Sequence, residues 1–205
     1  MENKLETHQK EFEGLVKKML ELMDPNPDRP GIKETPHRVW GYWHELLEGQ
    51  FLTNAEIAEK FKKNFEVGYD PIVTMSIDNV FSNCEHHLAL MYDGNAIIGY
   101  IPTQNEDGTF NVLGLSKIPR IVDMCARRLQ LQEKLASDIA EVISLATGSR
   151  QVYVNLNMKH GCVSARGVKA QSFTNVTFMT KDLRRNSDAR HEFERKAQEL
   201  RMINK

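Results

Sequence analysis

The chain has 205 residues, of which 40% are hydrophobic and 27% charged, with a formal net charge of −1. This balance is typical of one soluble globular domain, or of one domain with an extension, and it excludes a general electrostatic attraction to nucleic acid or membranes. No apolar run reaches the length of a membrane span. The first 18 residues lack the apolar centre of a signal peptide. We therefore expect a cytoplasmic protein, whose three cysteines suit metal binding or thiolate chemistry better than disulfides.

Residues 1–70 carry helical patterns and are predicted to form an N-terminal helical region. Apolar residues repeat at helical spacing from Phe12 to Met23, and the proline-rich run 24–31 ends this helix. Thr35-Pro36 begins a second helix, as its N-cap and the proline of its first turn. A further short helix is predicted around residues 55–65.

From residue 71 the pattern changes, and we assign residues 71–205 to an α+β domain with a C-terminal helix. Strands are predicted over 72–80, 96–101, 152–158 and 172–180, helices over 116–129, 135–147 and from 187, and a polar loop over 104–108. The order strand–strand–helix–helix–strand–strand predicts a four-stranded sheet with two helices on one face. Because its other face and its edges need cover, we expect an oligomer.

Two segments far apart in the sequence place cysteine beside histidine at a predicted strand end. Cys84 and His87 are three residues apart, and a His160-x-Cys162 motif closes a later strand. Thiolate and imidazole together favour zinc. These motifs offer three ligands, and a fourth from His86 or His160 would make a closed structural site, whereas water in that position would make a catalytic one. The lack of a second Cys-x-x-Cys or His-x-x-His pair mildly favours the open site.

Other polar residues stand where a nucleotide could bind. Ser116-Lys117 opens a helix whose free N–H groups and dipole favour an anion, and Arg120 follows one turn later. Gln132-Glu133, at the junction of two helices, offers an amide and a carboxylate that could read the edge of a base. The neighbouring basic residues are interpreted as a solvated helix face with ordinary salt bridges; they are Arg127, Arg128 and Lys134.

Together these motifs resemble the GTP cyclohydrolase I family. The matching motifs, in the family's order and spacing, are Cys84-Glu85-His86-His87, Gly114-Leu115-Ser116-Lys117, Gln132-Glu133 and His160-x-Cys162-x-x-x-Arg166-Gly167. Thr35-Pro36-His37-Arg38 is similar to the family's upstream helix motif. Several separated motifs agree, so the resemblance is highly specific.

The resemblance implies a tunnelling fold, in which sheets from many subunits join into a barrel, commonly as a decamer with active sites between subunits. It implies conversion of GTP and water to 7,8-dihydroneopterin triphosphate and formate. Zinc would lower the pKa of water to about 7, and the resulting hydroxide would attack guanine C8 while a histidine protonates the ring nitrogen. Ring opening, release of formate and reclosure of the ring would follow.

The resemblance also implies roles for individual residues. The zinc ligands would be Cys84, His87 and Cys162. The proton-transfer groups would be His86 and His160. The substrate-binding residues would be Gln132 and Glu133 for guanine, Ser116 for the ribose, and Arg38, Lys117, Arg120 and Arg166 for the triphosphate.

One position departs from the family pattern. A lysine often stands three residues after the arginine of the Thr-Pro-x-Arg motif, and this chain has Gly41 there. The departure leaves open a related zinc hydrolase that stops after purine ring opening or uses another purine nucleotide. A structural zinc module in an oligomeric binding protein is the non-enzymatic alternative.

Overall fold

A computed structural model describes residues 2–203 of the chain, with side chains from residue 8 onward. Met1, Asn204 and Lys205, the outermost residues of the two predicted domains, lie outside the described residues. The chain divides into two compact units, Met1–Glu48 and Gly49–Lys205. The functional division at residue 70 stays a prediction. Within residues 2–203, none of the helices is long and apolar enough to span a membrane.

The first unit consists of two helices, as its apolar periodicity predicts. Helix α1 is Glu2–Met23 and helix α2 is Thr35–Leu46, with a short 3-10 turn at Pro30–Ile32 between them. Pro36 lies in the first turn of α2, where its missing N–H costs no helical hydrogen bond. The rings of Phe12 and Trp40 meet edge to face, with centroids 5.5 Å apart, and hold the two helices together.

The second unit holds the remaining elements. Its helices are α3 (Asn54–Phe61), α4 (Lys117–Ala126), α5 (Gln132–Thr147), α6 (Gly161–Ser164), α7 (Lys181–Arg185) and α8 (Ser187–Ile203). Its strands are β1 (Asn64–Val67), β2 (Val73–Cys84), β3 (Leu90–Tyr100), β4 (Thr103–Gln104), β5 (Phe110–Leu113), β6 (Leu129–Gln130), β7 (Val152–His160) and β8 (Thr174–Met179).

The main sheet has the order β6-β2-β3-β7-β8, and its four long strands are antiparallel. Helices α4 and α5 pack on one face, and their apolar side chains share one core with the inward residues of β2, β3 and β7. The α+β class and the antiparallel sheet with two helices on one face are confirmed. The predicted count of four strands is wrong by one, because β6 adds a short fifth strand parallel to the end of β2.

The other face of the sheet is partly covered by the chain itself. The ring of Phe193 on α8 stacks on Tyr153 of β7, with centroids 5.8 Å apart and planes 12° apart. Gly99 on β3 makes room for this ring, since a Cβ there would lie 2.6 Å from it. Helix α8 therefore covers part of this face, and the expected assembly with other subunits stays a prediction.

The polar loop expected at 104–108 is confirmed at 105–109, where it joins β4 to β5. These two strands and β1 form a separate three-stranded sheet of order β1-β5-β4, which the sequence did not predict. The helix expected to reach residue 65 ends at Phe61, because residues from Asn64 onward pair antiparallel with β5. Short strands of two to four residues carry too little alternation to be recognised in a sequence.

Arg128 is buried, contrary to the solvated helix face predicted for it. Its guanidinium donates to Asp138 Oδ2 at 3.1 Å, to the carbonyl of Leu52 at 2.6 Å and to the carbonyl of Gly49 at 3.0 Å. Both charged side chains of the Arg128–Asp138 pair are only 9% exposed. Arg128 therefore ties the segment before α3 to the middle of α5 through buried, charge-assisted hydrogen bonds.

Candidate active site

The turn between β2 and β3 brings Cys84 and His87 together. The N–H of Cys84 donates to the carbonyl of Ala89 at 2.8 Å, and the N–H of Leu88 donates to the carbonyl of Cys84 at 2.9 Å. Leu88 takes a left-handed conformation, with φ of 51°, which a non-glycine residue adopts only under strain. This tight turn folds His87 back, so that its Nδ1 lies 3.9 Å from Cys84 Sγ.

Antiparallel pairing of β3 and β7 brings the His160-x-Cys162 motif close to Cys84 and His87. Met91, near the start of β3, lies opposite His160, the last residue of β7. Helix α6 begins immediately afterwards, so Cys162 lies within one turn of the strand end. The strand ends thus converge as the sequence predicts.

Cys84, His87 and Cys162 form a group whose ligand atoms all lie within 4.8 Å of one another. Cys84 is buried, Cys162 is half-buried and His87 is exposed. Among the described side chains, no fourth cysteine, histidine or carboxylate joins this group. These three residues could hold a metal ion.

The electrostatics of the group favour a cation. Burial, followed by the neighbouring Cys84 thiol, raises the pKa of Cys162. The Cys162 thiol thus resists ionisation, and a bound cation would favour its thiolate. Two thiolates and one imidazole are the donor set that zinc accepts in proteins, so the residues present fit that ion.

The two candidate proton-transfer histidines have different surroundings. The His86 side chain is 63% exposed and lies 3.9 Å from Glu85. The ring of His160 is half-buried, and its Nε2 lies 2.7 Å from the side-chain oxygen of Gln132. Burial lowers the pKa of His160, while the charge of Glu133 opposes that shift. His160 is thus neutral near pH 7 and can accept a proton.

Strand β6 places the start of α5 beside the β2–β3 turn that carries Cys84 and His87. Cys84 lies opposite Gln130 in the parallel pair β2–β6, and the N–H of Glu85 donates to the carbonyl of Gln130 at 3.1 Å. Gln132 and Glu133 follow at once, as the first two residues of α5. Gln132 is buried and Glu133 is exposed. Sequence reasoning missed the hydrogen bond between Gln132 and His160, because no local pattern links residues 28 positions apart.

The start of α4 carries Ser116, Lys117 and Arg120, but it offers few free backbone donors. The N–H groups of Lys117 and Ile118 donate to carbonyls of the preceding turn, and Pro119 has no N–H. The expectation that free N–H groups bind an anion here is therefore wrong. The Ser116 hydroxyl makes no capping hydrogen bond, so an anion at this helix would be bound by side chains.

The two remaining basic residues lie in different units. Arg166, exposed on the turn after α6, donates a hydrogen bond of 2.9 Å to Nε2 of His87. Arg38 is exposed on α2 of the first unit. The second unit therefore brings together all predicted site residues that lie in the motifs around Cys84, Gln132 and Cys162, and the role of Arg38 stays a prediction.

Comparison with known proteins agrees with this site. A sequence model of the family described as GTP cyclohydrolase I matches residues 12–198. The GTP cyclohydrolase 1 of Clostridium acetobutylicum is 39% identical over 185 residues, covering 88% of this chain and 92% of the relative. That of Clostridium botulinum strain Loch Maree is 41% identical over 174 residues, covering 82% and 86%. Among solved structures, the apo form of the archaeosine synthase QueF-Like covers 53% of this chain and 92% of its own, with a TM-score of 0.41 and 19% identity.

The fold and the site define an α+β protein whose antiparallel sheet carries, at its strand ends, a Cys-His-Cys group suited to a metal ion. The family match spans most of the chain, and curated relatives at about 40% identity agree with it. The chain belongs to the GTP cyclohydrolase I family.

Proposed function

We propose that this chain converts GTP and water to 7,8-dihydroneopterin triphosphate and formate. The observation that carries the proposal is the convergence of Cys84, His87 and Cys162, whose ligand atoms lie within 4.8 Å of one another. His160 ends strand β7, two residues before Cys162. Family membership supports GTP as the substrate.

Zinc is the metal that the proposal assigns to Cys84, His87 and Cys162. When bound, zinc would supply Lewis acidity that lowers the pKa of water toward neutrality, to about 7, for hydrolysis at guanine C8. The group offers three donors and no fourth among the described side chains, which suits a catalytic rather than a structural zinc site. His86 lies near Glu85, and His160 contacts Gln132, so neither completes the group as a fourth ligand. This arrangement weighs against a closed structural zinc module.

His160 and His86 are assigned the proton transfers. Burial lowers the pKa of His160 and so favours its neutral form, which can accept a proton from water and donate it to the purine ring nitrogen as the bond between that nitrogen and C8 breaks. His86, being exposed, can exchange protons with solvent during the later opening and reclosure of the ribose. Two imidazoles with different burial suit a sequence that needs both an acid and a base.

The substrate is held, in this proposal, by residues at the starts of the two core helices and after α6. The exposed Glu133 carboxylate would accept hydrogen bonds from the guanine edge, and the Ser116 hydroxyl would meet the ribose. The triphosphate would be bound by charge-assisted hydrogen bonds from Arg38, Lys117, Arg120 and Arg166. Such anchoring orients C8 toward the metal.

We further infer a homo-oligomer, with a decamer as the expected size and active sites between subunits. The outer edge of β8 and the outer edge of the first half of β2, on the side away from β3, have no partner strand among the described residues. Strand edges of this kind pair with other chains. Residues 71–205 would form the catalytic domain. The three free cysteines suit a reducing compartment, and we infer the cytoplasm.

The test is to incubate the zinc-loaded protein with GTP and assay both formate and the fluorescent pterin formed after oxidation. Both products in equal amounts are expected. Formate without a pterin would show the truncated reaction that Gly41 leaves open, and the absence of both products would refute the enzyme assignment.

A further inference from the structure

Every donor of the Gln132 side-chain amide is used inside the chain. Its nitrogen donates to the carbonyl of Leu156 at 3.1 Å and to the carbonyl of Thr174 at 2.9 Å. Its oxygen lies 2.7 Å from Nε2 of His160. Gln132 as a whole is only 2% exposed. The amide therefore joins the first turn of α5 to β7 and β8 and to the ring of His160.

These partners determine which way the amide faces. Backbone carbonyls only accept hydrogen bonds, so the nitrogen of Gln132 must point to Leu156 and Thr174. The oxygen then faces His160, and since an amide oxygen only accepts, Nε2 of His160 must carry the hydrogen. A neutral imidazole protonated on Nε2 has its lone pair on Nδ1. No hydrogen bond to that Nδ1 is present among the described residues.

We propose that Gln132 is a positioning residue that acts through His160. It fixes the orientation of the ring through the hydrogen bond that Nε2 donates to its side-chain oxygen, so that Nδ1 is the ring nitrogen without a partner among the described residues. The proposal rests on the proposed function, in which His160 transfers protons. It also reassigns Gln132, which the family resemblance would place on guanine, and leaves Glu133 alone to read the base.

The arrangement has a clear physical advantage. Proton transfer requires the ring to stay within hydrogen-bonding reach and in line with the reacting atom, and small displacements cost large factors in rate. His160 is the last residue of β7, where the strand no longer fixes its side chain on both sides. An amide anchored to two strands supplies the missing constraint. Losing it should therefore reduce turnover without weakening the binding of GTP.

The decisive variant is Gln132→Met, which keeps the length of the side chain and removes its hydrogen bonds. Gln130→Met is the matched control. Gln130 is fully buried, and its side-chain nitrogen also donates twice, to the carbonyl of Cys125 at 3.1 Å and to the carboxylate of Asp138 at 2.9 Å. Unlike Gln132, it makes no hydrogen bond to His160. On the zinc-loaded proteins we expect Gln132→Met to lower kcat by about 100-fold with KM for GTP changed by less than about twofold. Gln130→Met should leave both constants near those of the original chain.

A spectroscopic measurement tests the contact itself. In histidine-15N-labelled, zinc-loaded protein at neutral to alkaline pH, Nε2–H of His160 should give a downfield proton that exchanges slowly with water. A His160→Asn variant assigns the signal. It should disappear in Gln132→Met and persist in Gln130→Met. Gln132→Asn, which is one methylene too short to reach all three partners, should behave as Gln132→Met does and serves if the methionine variant does not fold.

The outcomes separate the two proposals. A raised KM with unchanged kcat in Gln132→Met would place Gln132 on the guanine and overturn its positioning role. An unchanged Nε2–H signal in that variant would overturn it as well. If the original chain makes neither formate nor pterin, the proposed function fails, whereas the Nε2–H signal still decides whether Gln132 holds His160.

Discussion

The guanidinium of Arg166 donates a hydrogen bond of 2.9 Å to Nε2 of His87. One side chain therefore touches the exposed member of the Cys84–His87–Cys162 group and also belongs to the set predicted to bind triphosphate. Its positive charge has opposite effects on the binding of zinc and of the triphosphate, because it repels a cation at His87 and attracts an anion.

Replacing Arg166 with methionine should separate these effects. We expect Arg166→Met to raise KM for GTP by about 10- to 100-fold, the loss of one charge-assisted hydrogen bond, and to raise zinc affinity a few-fold. Steady-state kinetics and competition with a chromophoric chelator measure the two changes. The control is Arg150→Met, because Arg150 is exposed, pairs with Asp182 and lies at the opposite end of β7 from His160. Equal KM values in Arg166→Met and Arg150→Met would contradict the predicted phosphate contact.

Metal content should distinguish a ligand from a proton-transfer group. We expect Cys162→Ala to lose zinc and His160→Ala to keep it while losing most turnover, since only Cys162 belongs to the three-residue group. Cys125→Ala is the control: burial raises the pKa of Cys125 to about 12, so this core thiol does not bind the ion. Elemental analysis of the purified variants decides the matter, and a full complement of zinc in Cys162→Ala would overturn the ligand assignment.

Cys84, His87 and Cys162 could be grouped from the sequence because each lies at or just beyond a strand end, and the ends of adjacent antiparallel strands meet. The contact between Gln132 and His160 could not be predicted from the sequence, because it depends on how α5 packs against the sheet. The predicted exposure of Arg128 is wrong for a related reason. A lone arginine after a helix is usually solvated, and only tertiary packing buries this one together with Asp138. Long periodic segments thus determine the architecture, whereas single polar contacts depend on packing.

The buried Arg128–Asp138 pair should be a major source of stability. Arg128→Met removes the buried guanidinium that donates to Asp138 and to the carbonyls of Gly49 and Leu52, although Lys134 still pairs with Asp138. We expect a loss of about 3 kcal/mol in the free energy of unfolding, or about 6–12 °C in Tm. Arg127→Met is the neighbouring control, because Arg127 pairs with an aspartate, Asp123, that is 58% exposed, and such pairs contribute at most about 1 kcal/mol. Thermal unfolding followed by circular dichroism measures both, and similar Tm values would refute the assignment.

The other hydrogen bonds to Asp138 predict a pH dependence of the stability. Burial alone would raise the pKa of Asp138, but hydrogen bonds, led by those from Gln130 and Lys134, outweigh it and lower the pKa below its ordinary 3.8. A lowered pKa in the folded state stabilises the protein above the unfolded value, and that stabilisation is lost as pH falls through the folded value. Between about pH 5 and pH 3 the original chain should therefore lose more stability than Asp138→Asn. Parallel unfolding curves across this range would contradict the prediction.

Gly41 lies inside α2, where a Cβ would meet nothing within 4 Å. Gly41→Ala should therefore stabilise the helix by about 1 kcal/mol, since glycine is a poor helix former. Gly41→Lys should give nearly the same stabilisation and, in addition, restore the lysine common in the family, so that KM for GTP falls by about 3- to 10-fold. Comparing the two variants separates charge from helix propensity, and added salt should shrink only the lysine effect. An equal KM in both variants would mean that other basic residues already neutralise the triphosphate, and that the departure at Gly41 has no effect on binding.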